Sequence, residues 1–372
     1  MKNILLSLVL ITNACFSQNP KSFQDLNTAK WGIKSSSGTI LVEPKYEDIR
    51  SYAGGLAIVK LNSKYGAIDI TGKEIVVPKY EDMNNFQNGV CVVKENGKKG
   101  LIDKTGKALI ETKYDHLIPA LDNLYFVKID KKHGVISEQG KTIIPIEYTS
   151  VEQIEKGIYM VNIKTEPVNG KYTSEYGLFS KTGQALTQVK YNRIDKINNW
   201  YQVTGRNGKL GYITPDGIEV IPTEYDFITP FNAYNFSKVE KDKKFGYVNK
   251  IGKVMIPCIY EDICNSMYSN NFSLFAAKLN NKWGFVDING KEIIPFKYTE
   301  VLSEFKSGLT GAKLNEKWGY IDMTGKEVIP FKFDRANPFY TERAKVEVLA
   351  AGSEFDYDVF YINKNGEKIA DK

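Results

Sequence analysis

The sequence predicts an all-β protein, a tandem array of about nine to ten three-stranded β-meander repeats of roughly 34–35 residues each. One short pattern centred on a glycine recurs along nearly the whole chain. Its apolar residues alternate in the two-residue rhythm of strands, and no window of a dozen residues shows helical spacing free of Gly, Pro or Asn. A unit of this length cannot bury its apolar face alone, so we expect neighbouring repeats to stack.

Three positions define the rigid part of each repeat: a leading glycine, a turn glycine six residues later and a closing aromatic eight residues beyond that. The leading glycines are Gly32, Gly66, Gly100, Gly134, Gly177, Gly211, Gly246, Gly284 and Gly319, and the turn glycines are Gly38, Gly72, Gly106, Gly140, Gly183, Gly217, Gly252, Gly290 and Gly325. The closing aromatics are Tyr46, Tyr80, Tyr114, Tyr148, Tyr191, Tyr225, Tyr260, Tyr298 and Phe333. All variation in length falls between a closing aromatic and the next leading glycine, where the spacing is 20 to 29 residues, and we call this segment the arm.

The ninth repeat shows how each unit is expected to fold. Residues 318–322 alternate as a first strand, and Asp322 with Gly325 predicts a tight turn. A second strand over 327–329 is expected to end at Pro330, which has no N–H for a central ladder. A third strand lies in the arm, and hairpins such as Asn96-Gly97 and Asn207-Gly208 lead from it into the next repeat.

Each repeat offers the same two apolar positions for a core. They are the closing aromatic and the residue two after the leading glycine, which is Ile68, Ile102, Ile136, Phe179, Ile213, Val248, Val286 or Ile321. Burying a large apolar side chain contributes roughly 1.5–3 kcal/mol, so stability is expected to rise with the number of stacked repeats.

The best copies read Lys-Trp-Gly-Phe-Val-Asp at 282–287 and Lys-Trp-Gly-Tyr-Ile-Asp at 317–322, each followed by Gly-Lys-Glu-(Ile/Val)-Ile-Pro. On these residues the chain resembles the bacterial WG-repeat (KWG-repeat) proteins, from about residue 30 to the C-terminus. The aromatic before the glycine is replaced by Lys99, His133 and Leu210, and the proline is missing in the third and fifth copies. The resemblance implies an exported or envelope-associated β-repeat protein and brings no agreed catalytic residues.

The pattern divides the chain into three parts: a signal peptide over 1–17, a lead-in segment over 18–29 and the β array over 30–372. The repeats start near 30, 64, 98, 132, 175, 209, 244, 282 and 317, with a degenerate cap repeat near 358.

The N-terminus has the features of an export signal. Lys2 precedes an apolar run over 4–11, and small residues follow near Ser17. The run is too short for a transmembrane segment, which needs about 20 apolar residues. Cleavage after Ser17 predicts a chain in the periplasm, the cell envelope or the extracellular space; the alternative is a lipid anchor at Cys15, disfavoured because no Leu stands in its usual place before that cysteine.

Strand count and arm length bear on whether the array is open or closed. Propellers have about four to eight blades of four strands. Nine or ten units of three strands fit that plan poorly, and arms of unequal length disturb a ring more than a spiral. The sequence therefore favours an open superhelical β-solenoid over the alternative of a closed β-propeller, with a bend near the long arm over 166–174.

Charge and cysteine content exclude two classes of protein. The formal net charge of +6 is too small for the dense basic surface of a nucleic-acid binder. Removal of the signal leaves Cys91, Cys258 and Cys264, too few for a disulfide scaffold, so we expect free thiols.

The polar residues that recur are interpreted as structural. Asp69, Asp103, Asp287 and Asp322 precede turn glycines, where Ser137, Ser180 and Thr214 stand in other copies, and are expected to cap the turns rather than bind calcium. The Tyr-Glu-Asp triplets at 46, 80 and 260 are periodic in the same way. His116 and His133 have no metal-ligand spacing, and no catalytic or cofactor motif is present, so we expect no enzyme, no metal and no cofactor.

Two repeated rows are candidate binding surfaces. The turn lysines are Lys73, Lys107, Lys141, Lys253, Lys291 and Lys326, which fit either an acidic partner or a solubilising role. The aromatic row is Trp31, Tyr65, Tyr176, Phe245, Trp283 and Trp318, which fits either stacking on a ligand or packing over the bare glycine.

The sequence thus predicts a non-enzymatic exported scaffold that binds a protein or glycan at the bacterial cell envelope, with the arms setting specificity. Two alternatives are a glycan-processing enzyme with two carboxylates in a groove of the array and a structural spacer or adhesin.

Overall fold

The computed structural model describes residues 19–165, 173–264 and 274–370. Throughout these ranges the chain forms β-strands joined by turns, with no helix, and the strands pair into ten small antiparallel sheets. The predicted all-β array of meander repeats is confirmed. The signal peptide over 1–17 lies outside the described residues, as does most of the long arm over 166–174.

The chain divides into two compact units. The first contains residues 1–164 and 178–185. Its first sheet consists of the strands Lys21–Gln24, Trp31–Lys34 and Ile40–Tyr46. The second sheet consists of Asp48–Ile49, Leu56–Leu61, Lys64–Asp69 and Glu74–Tyr80. The third consists of Asp82–Met83, Val90–Glu95, Lys98–Asp103 and Ala108–Tyr114. The next two are His116–Pro119, Leu124–Ile129, Lys132–Ser137, Thr142–Tyr148; and Ser150–Glu155, Ile158–Lys164, Ser174–Ser180, a strand that contains the boundary between the units.

The second unit contains residues 165–177 and 186–372. Its first sheet consists of the strands Arg193–Ile197, Trp200–Thr204, Leu210–Ile213 and Glu219–Tyr225. The second sheet consists of Phe227–Ile228, Phe236–Lys241, Lys244–Asn249 and Val254–Tyr260. The third consists of Asp262–Ile263, Phe275–Leu279, Lys282–Val286 and Glu292–Tyr298. The last two are Glu300–Val301, Leu309–Leu314, Lys317–Asp322, Glu327–Phe333; and Arg335–Ala336, Ala344–Leu349, Tyr357–Ile362, Lys368–Ile369.

Most sheets contain one strand more than the sequence predicts. The three long strands are the predicted arm strand, first strand and second strand, paired in that order. A short strand, Asp48–Ile49 in the second sheet, comes directly after the closing aromatic and pairs with the arm strand. Eight of the ten sheets therefore have four strands. The number of strands per repeat no longer argues against a closed propeller, and the preference for an open array rests on the number of repeats and the uneven arms.

The sequence analysis predicted that the second strand ends at its proline, and this prediction is wrong. Glu327–Phe333 continues through Pro330, and Glu74–Tyr80 continues through Pro78. The strand register explains why the proline is tolerated. Tyr65 is opposite Tyr80 and Ala67 is opposite Val76, so a step of two residues along the first strand corresponds to a step of four along the second. Pro78 lies in this bulge, where its missing N–H leaves no ladder bond unmade.

The same bulge explains the leading glycine. It brings the Val76 carbonyl oxygen so close to Gly66 that a Cβ atom there would lie 2.4 Å from it. At Gly319 the corresponding distance to the Ile329 oxygen is 2.7 Å. Real Cβ atoms do not approach an oxygen so closely, so only glycine fits this position.

The two predicted hairpins differ. Asn96 and Gly97 both have positive φ, 50° and 75°, which is the two-residue turn that matches strand twist. The Asn207-Gly208 pair lies instead in a longer loop closed by the Gly205 N–H and the Lys209 carbonyl, 2.9 Å apart. There the Asn207 side chain accepts a bond from the Lys209 N–H at 3.0 Å.

The core lies between successive sheets of each unit. The eight predicted core residues that lie two positions after a leading glycine are all buried. The closing aromatics are at most 4% exposed. One cluster joins Tyr46 of the first sheet to Val59 and Ile68 of the second. Polar contacts join the same two sheets, because Glu74 accepts bonds from the Tyr46 hydroxyl and the Lys45 ammonium, both at 2.9 Å.

The fifth repeat departs from the others. Its second strand is reduced to isolated bridges, Phe179 with Ala185 and Tyr176 with Tyr191. This copy also lacks the repeat proline. The lead-in segment, in contrast, supplies a strand, Lys21–Gln24, which pairs with Trp31–Lys34 of the first repeat.

Candidate functional site

The recurrent turn acids serve the turns, as predicted. Oδ1 of Asp103 accepts bonds from the Thr105 N–H at 2.8 Å, the Thr105 hydroxyl at 2.6 Å and the Lys107 N–H at 3.0 Å. The bond from the Thr105 hydroxyl, with the two N–H bonds, lowers the pKa of Asp103. Ser137, Ser180 and Thr214 accept equivalent backbone bonds in their repeats. These oxygens are committed to the backbone rather than to an ion.

The acid after the closing aromatic is also structural. Oε2 of Glu81 accepts a bond from the Gly97 N–H at 3.1 Å, and that of Glu261 accepts one from the Asn281 N–H at 2.9 Å. Both N–H groups lie in the hairpin that leads into the next repeat. The carboxylate therefore braces the hairpin that follows it, which accounts for the periodicity of the Tyr-Glu-Asp triplets.

The aromatic row is largely covered by protein. Trp31, Tyr65, Tyr176, Phe245 and Trp283 are half-buried, and Trp318 is only 9% exposed. Cations lie over two of the rings: the Lys238 ammonium is 4.4 Å from the centre of Phe245, and the Lys60 ammonium is 5.4 Å from that of Tyr65. The role of the row in binding a ligand stays a prediction.

The six turn lysines are all exposed. Their backbone N–H groups take part in the turns, as Lys73 does with Asp69 at 3.0 Å. Their side chains remain available to an acidic partner, and that role also stays a prediction.

The two histidines lie on one sheet, each opposite Lys128 on the strand between them. His116 is exposed and His133 is half-buried. Burial, with Lys128 and His116 nearby, lowers the pKa of His133. Within the described ranges, no group of three or more His, Cys, Asp and Glu side chains is placed to hold a metal ion.

The three cysteines are free, as expected. Cys91 is buried and its thiol contacts the Asn84 carbonyl at 2.9 Å, while Cys258 and Cys264 are half-buried. Burial raises the pKa of Cys91 to about 12 and that of Cys258 to about 11, which keeps both as unreactive thiols at neutral pH.

One feature absent from the sequence predictions is a cleft of about 120 Å³ in the first unit. We call it the amide cleft because five carboxamide side chains line it: Asn84, Asn85, Gln87, Asn88 and Asn123. Leu101, Ala120 and Tyr125 contribute to its remaining surface, and Glu138 is the one charged residue among its lining residues. The second arm supplies four of the amides and the third arm supplies the fifth.

The cleft lies where the third repeat lacks an aromatic that three other repeats have. In three other repeats, the residue after the leading glycine packs on an aromatic of the following arm: Tyr212 on Phe231, Phe285 on Phe305 and Tyr320 on Phe339, with ring centres 4.9 to 5.2 Å apart. The corresponding residues in the third repeat are Leu101 and Ala120, and both line the cleft. The missing arm aromatic at 120, next to an arm with four carboxamides in five residues, is the sequence signal that could have located this cleft.

The repeats and the fold define a β-repeat protein, and comparison with known families gives the same result. The chain matches the WG containing repeat family eight times, over residues 31–65, 65–98, 100–132, 134–165, 211–245, 245–283, 283–318 and 318–348. The chain belongs to this family. The fifth repeat, whose second strand is irregular, is the full copy without a match.

Other comparisons add no argument about function. No curated protein matches the chain. A crystal structure of a eukaryotic initiation factor is similar with a TM-score of 0.28 and 11% identity, covering 95% of each chain. The dihydro-heme d1 dehydrogenase NirN has a TM-score of 0.27 and 12% identity over 95% of this chain and 72% of that one. AztD from Citrobacter koseri has a TM-score of 0.25 and 10% identity over 80% and 90%. At these TM-scores the likenesses carry no inference.

In the described part of the chain, no helix is long and apolar enough to cross a membrane.

Proposed function

We propose that this chain is a non-enzymatic WG-repeat scaffold, exported to the periplasm, envelope or surface of a bacterium, that binds a protein or glycan partner through its arms. One observation carries the proposal: the periodic polar residues are used within the fold, whereas the second and third arms also hold carboxamides that make no side-chain hydrogen bond to a described residue. Asp103 and Glu81 illustrate the first group, and the amides of the cleft illustrate the second.

The variation among repeats supports the same division. The distances from leading glycine to turn glycine and closing aromatic never change, while the arms differ in length and composition. A constant framework that presents variable loops is the usual design of a binding scaffold. Export rests on the basic and apolar character of residues 1–17.

The alternative of a glycan hydrolase gains no support from the amide cleft. Glycoside hydrolysis generally uses two carboxylates about 5 to 10 Å apart. Glu138 is the single carboxylate among the residues that line the cleft.

Fractionation of a bacterium producing the full chain with a C-terminal tag tests export. We expect the protein outside the cytoplasm with Gln18 as its first residue, and a cytoplasmic chain that keeps residues 1–17 would overturn this part of the proposal.

Binding is tested by retention of envelope proteins and polysaccharides on the immobilised mature chain. We compare the natural chain with two arm variants and a control. In one variant Asn84, Asn85, Gln87 and Asn88 are replaced by Gly and Ser while the buried Phe86 is kept, and in the other residues 166–174 are replaced by Gly and Ser. The control is Asn289→Ala in an exposed turn. The arm variants should lose a bound component while keeping the thermal midpoint. Unchanged binding by every arm variant would contradict the role of the arms.

A further inference from the structure

We propose that the amide cleft binds one sugar ring of a neutral glycan, held by the carboxamides of the second and third arms. The inference deepens the binding role proposed above and rests on it. It names the ligand class and the residues of one site, so it can fail while the scaffold role stands.

The shape of the cleft is the first argument. In three other repeats an arm aromatic packs on the residue that follows the leading glycine, as Phe339 does on Tyr320 with ring centres 4.9 Å apart. The corresponding residues of the third repeat are Leu101 and Ala120, and both are among the residues that line the cleft between the second and third arms. Protein interiors are close-packed, so an open space at a position that other repeats fill marks a departure from the framework. About 120 Å³ is room for part or all of one small ring rather than for a long chain.

The polar lining is the second argument. Asn84, Asn85, Gln87, Asn88 and Asn123 make no side-chain hydrogen bond to any residue that the structure describes. All five are exposed to solvent. Each carboxamide has two N–H donors and an oxygen acceptor. A sugar hydroxyl both donates and accepts, so closely spaced amides match the hydroxyls of a sugar ring without requiring any charge.

The third argument is charge. No lysine or arginine is among the residues that line the cleft, and Glu138 is the one ionisable acid there. An anionic sugar would therefore meet a carboxylate and no compensating cation. Neutral sugars have no such penalty, and the Glu138 carboxylate can accept a bond from one of their hydroxyls.

Tyr125 completes the site. Its side chain is 5% exposed, and its hydroxyl has no hydrogen-bond partner in the parts of the chain that are described. Burial, with Glu138 nearby, raises the pKa of Tyr125, so the hydroxyl stays protonated and able to donate. Leu124, which is 7% exposed, and Ala120 contribute apolar surface to the lining, against which the C–H face of a sugar ring can pack.

The test is saturation-transfer NMR on the mature chain with a panel of neutral sugars: glucose, galactose, mannose, N-acetylglucosamine and their short oligomers. Glucuronic acid and its oligomers form the anionic arm of the panel. We expect at least one neutral sugar to bind and the anionic sugars to show no signal. Comparing monosaccharides with oligomers tells whether one ring is sufficient.

Two variants assign the binding to the cleft. Ala120→Phe restores the aromatic that other arms carry, so it should fold and fill the cleft. Asn85→Ala combined with Gln87→Ala removes two amides and leaves the framework intact if Ala120→Phe misfolds. Each should weaken binding of the neutral sugar at least tenfold. Asn289→Ala, an exposed amide in a turn of the second unit, is the matched control and should bind as the natural chain does.

The outcomes separate the two proposals. Absence of neutral-sugar binding, or binding that survives both cleft variants, overturns the sugar site. If the natural chain still retains envelope material in that case, the scaffold role stands without this site. If it retains none, the scaffold role fails as well.

Discussion

Lys317 and Asp334 form an ion pair, with the lysine ammonium 2.5 Å from Oδ1 of the aspartate. Lys317 begins the first strand of the ninth repeat, and Asp334 directly follows Phe333, the closing aromatic of that repeat. The other carboxylate oxygen accepts a bond from the Leu349 N–H at 2.8 Å. The same pair recurs seventeen residues apart at Lys98 with Asp115 and Lys209 with Asp226, also at 2.5 Å. The lysine of the Lys-Trp-Gly motif is therefore one half of a contact that fixes the end of its own repeat.

Because this pair is partly exposed, its energetic coupling is expected to be small. A double-mutant cycle of Lys317→Met and Asp334→Asn, measured by urea unfolding, should give a coupling free energy of about 0.2–1 kcal/mol. The single substitution Asp334→Asn should lower the free energy of unfolding by more than this coupling, because the Leu349 N–H also loses a charged acceptor. Glu111→Gln, in a pair with 84% of the glutamate side chain exposed, is the control and should change nothing. A coupling of several kcal/mol would mean that the pair is part of a larger network.

Acid should destabilise the array through the turn acids. The bond from the Thr105 hydroxyl lowers the pKa of Asp103, and that from Thr324 lowers the pKa of Asp322. A carboxyl whose pKa is lower in the folded state stabilises above its unfolded pKa of about 3.9 and loses that contribution as pH falls below it. We expect the thermal midpoint to fall between pH 5 and pH 3.

Asn249 accepts the same turn bonds in the seventh repeat, so Asp103→Asn with Asp322→Asn should keep the turns. This double variant should lose less of its midpoint on acidification than the natural chain. An equal loss would show that the turn acids do not contribute to the pH dependence.

The leading glycine is required for steric reasons. Gly66→Ala places a Cβ atom 2.4 Å from the Val76 oxygen and 2.7 Å from the Pro78 nitrogen. We expect a loss of about 1–3 kcal/mol or more, measured as a lower urea midpoint. Gly308 has a φ of 83° and nothing within 4 Å of a Cβ, so Gly308→Asn introduces backbone strain without a steric clash and should lose less than Gly66→Ala. Equal effects of the two substitutions would contradict the steric explanation.

Two buried tyrosines at the same repeat position should respond in opposite ways to loss of the hydroxyl. The Tyr320 hydroxyl donates to the Asn337 carbonyl at 2.7 Å, so Tyr320→Phe should cost about 1 kcal/mol. The Tyr247 hydroxyl is buried without a partner among the described residues, so Tyr247→Phe should leave the thermal midpoint unchanged or raise it. A loss at Tyr247 would indicate a bound water or ligand at that hydroxyl.

The sequence predicts the framework well because its causes are local and repeated. The turn at Asp322 and Gly325 depends on four adjacent residues, and the inward positions follow from strand periodicity. The short strand Asp48–Ile49 has no such signal, since two residues show no alternation. The prediction that the strand ends at Pro330 is wrong because a bulge depends on the pairing of two strands, which single-strand patterns do not show.

The amide cleft was missed for a related reason. It depends on the placement of Leu101 in one sheet beside Ala120, which lies nineteen residues later in the loop after the strand His116–Pro119. Each residue alone is an ordinary apolar side chain. Only comparison with pairs such as Tyr320 and Phe339 shows that the third repeat lacks an aromatic.

The central claim is that the periodic polar residues build the framework, whereas the carboxamides of the amide cleft serve binding and not the framework. The most direct test compares urea midpoints of Asn85→Ala and Asp103→Ala, two polar residues of the same unit. We predict that Asn85→Ala stays within about 0.5 kcal/mol of the natural chain, whereas Asp103→Ala loses about 1 kcal/mol or more because three turn bonds lose their acceptor. Equal losses at the two positions would contradict the claim.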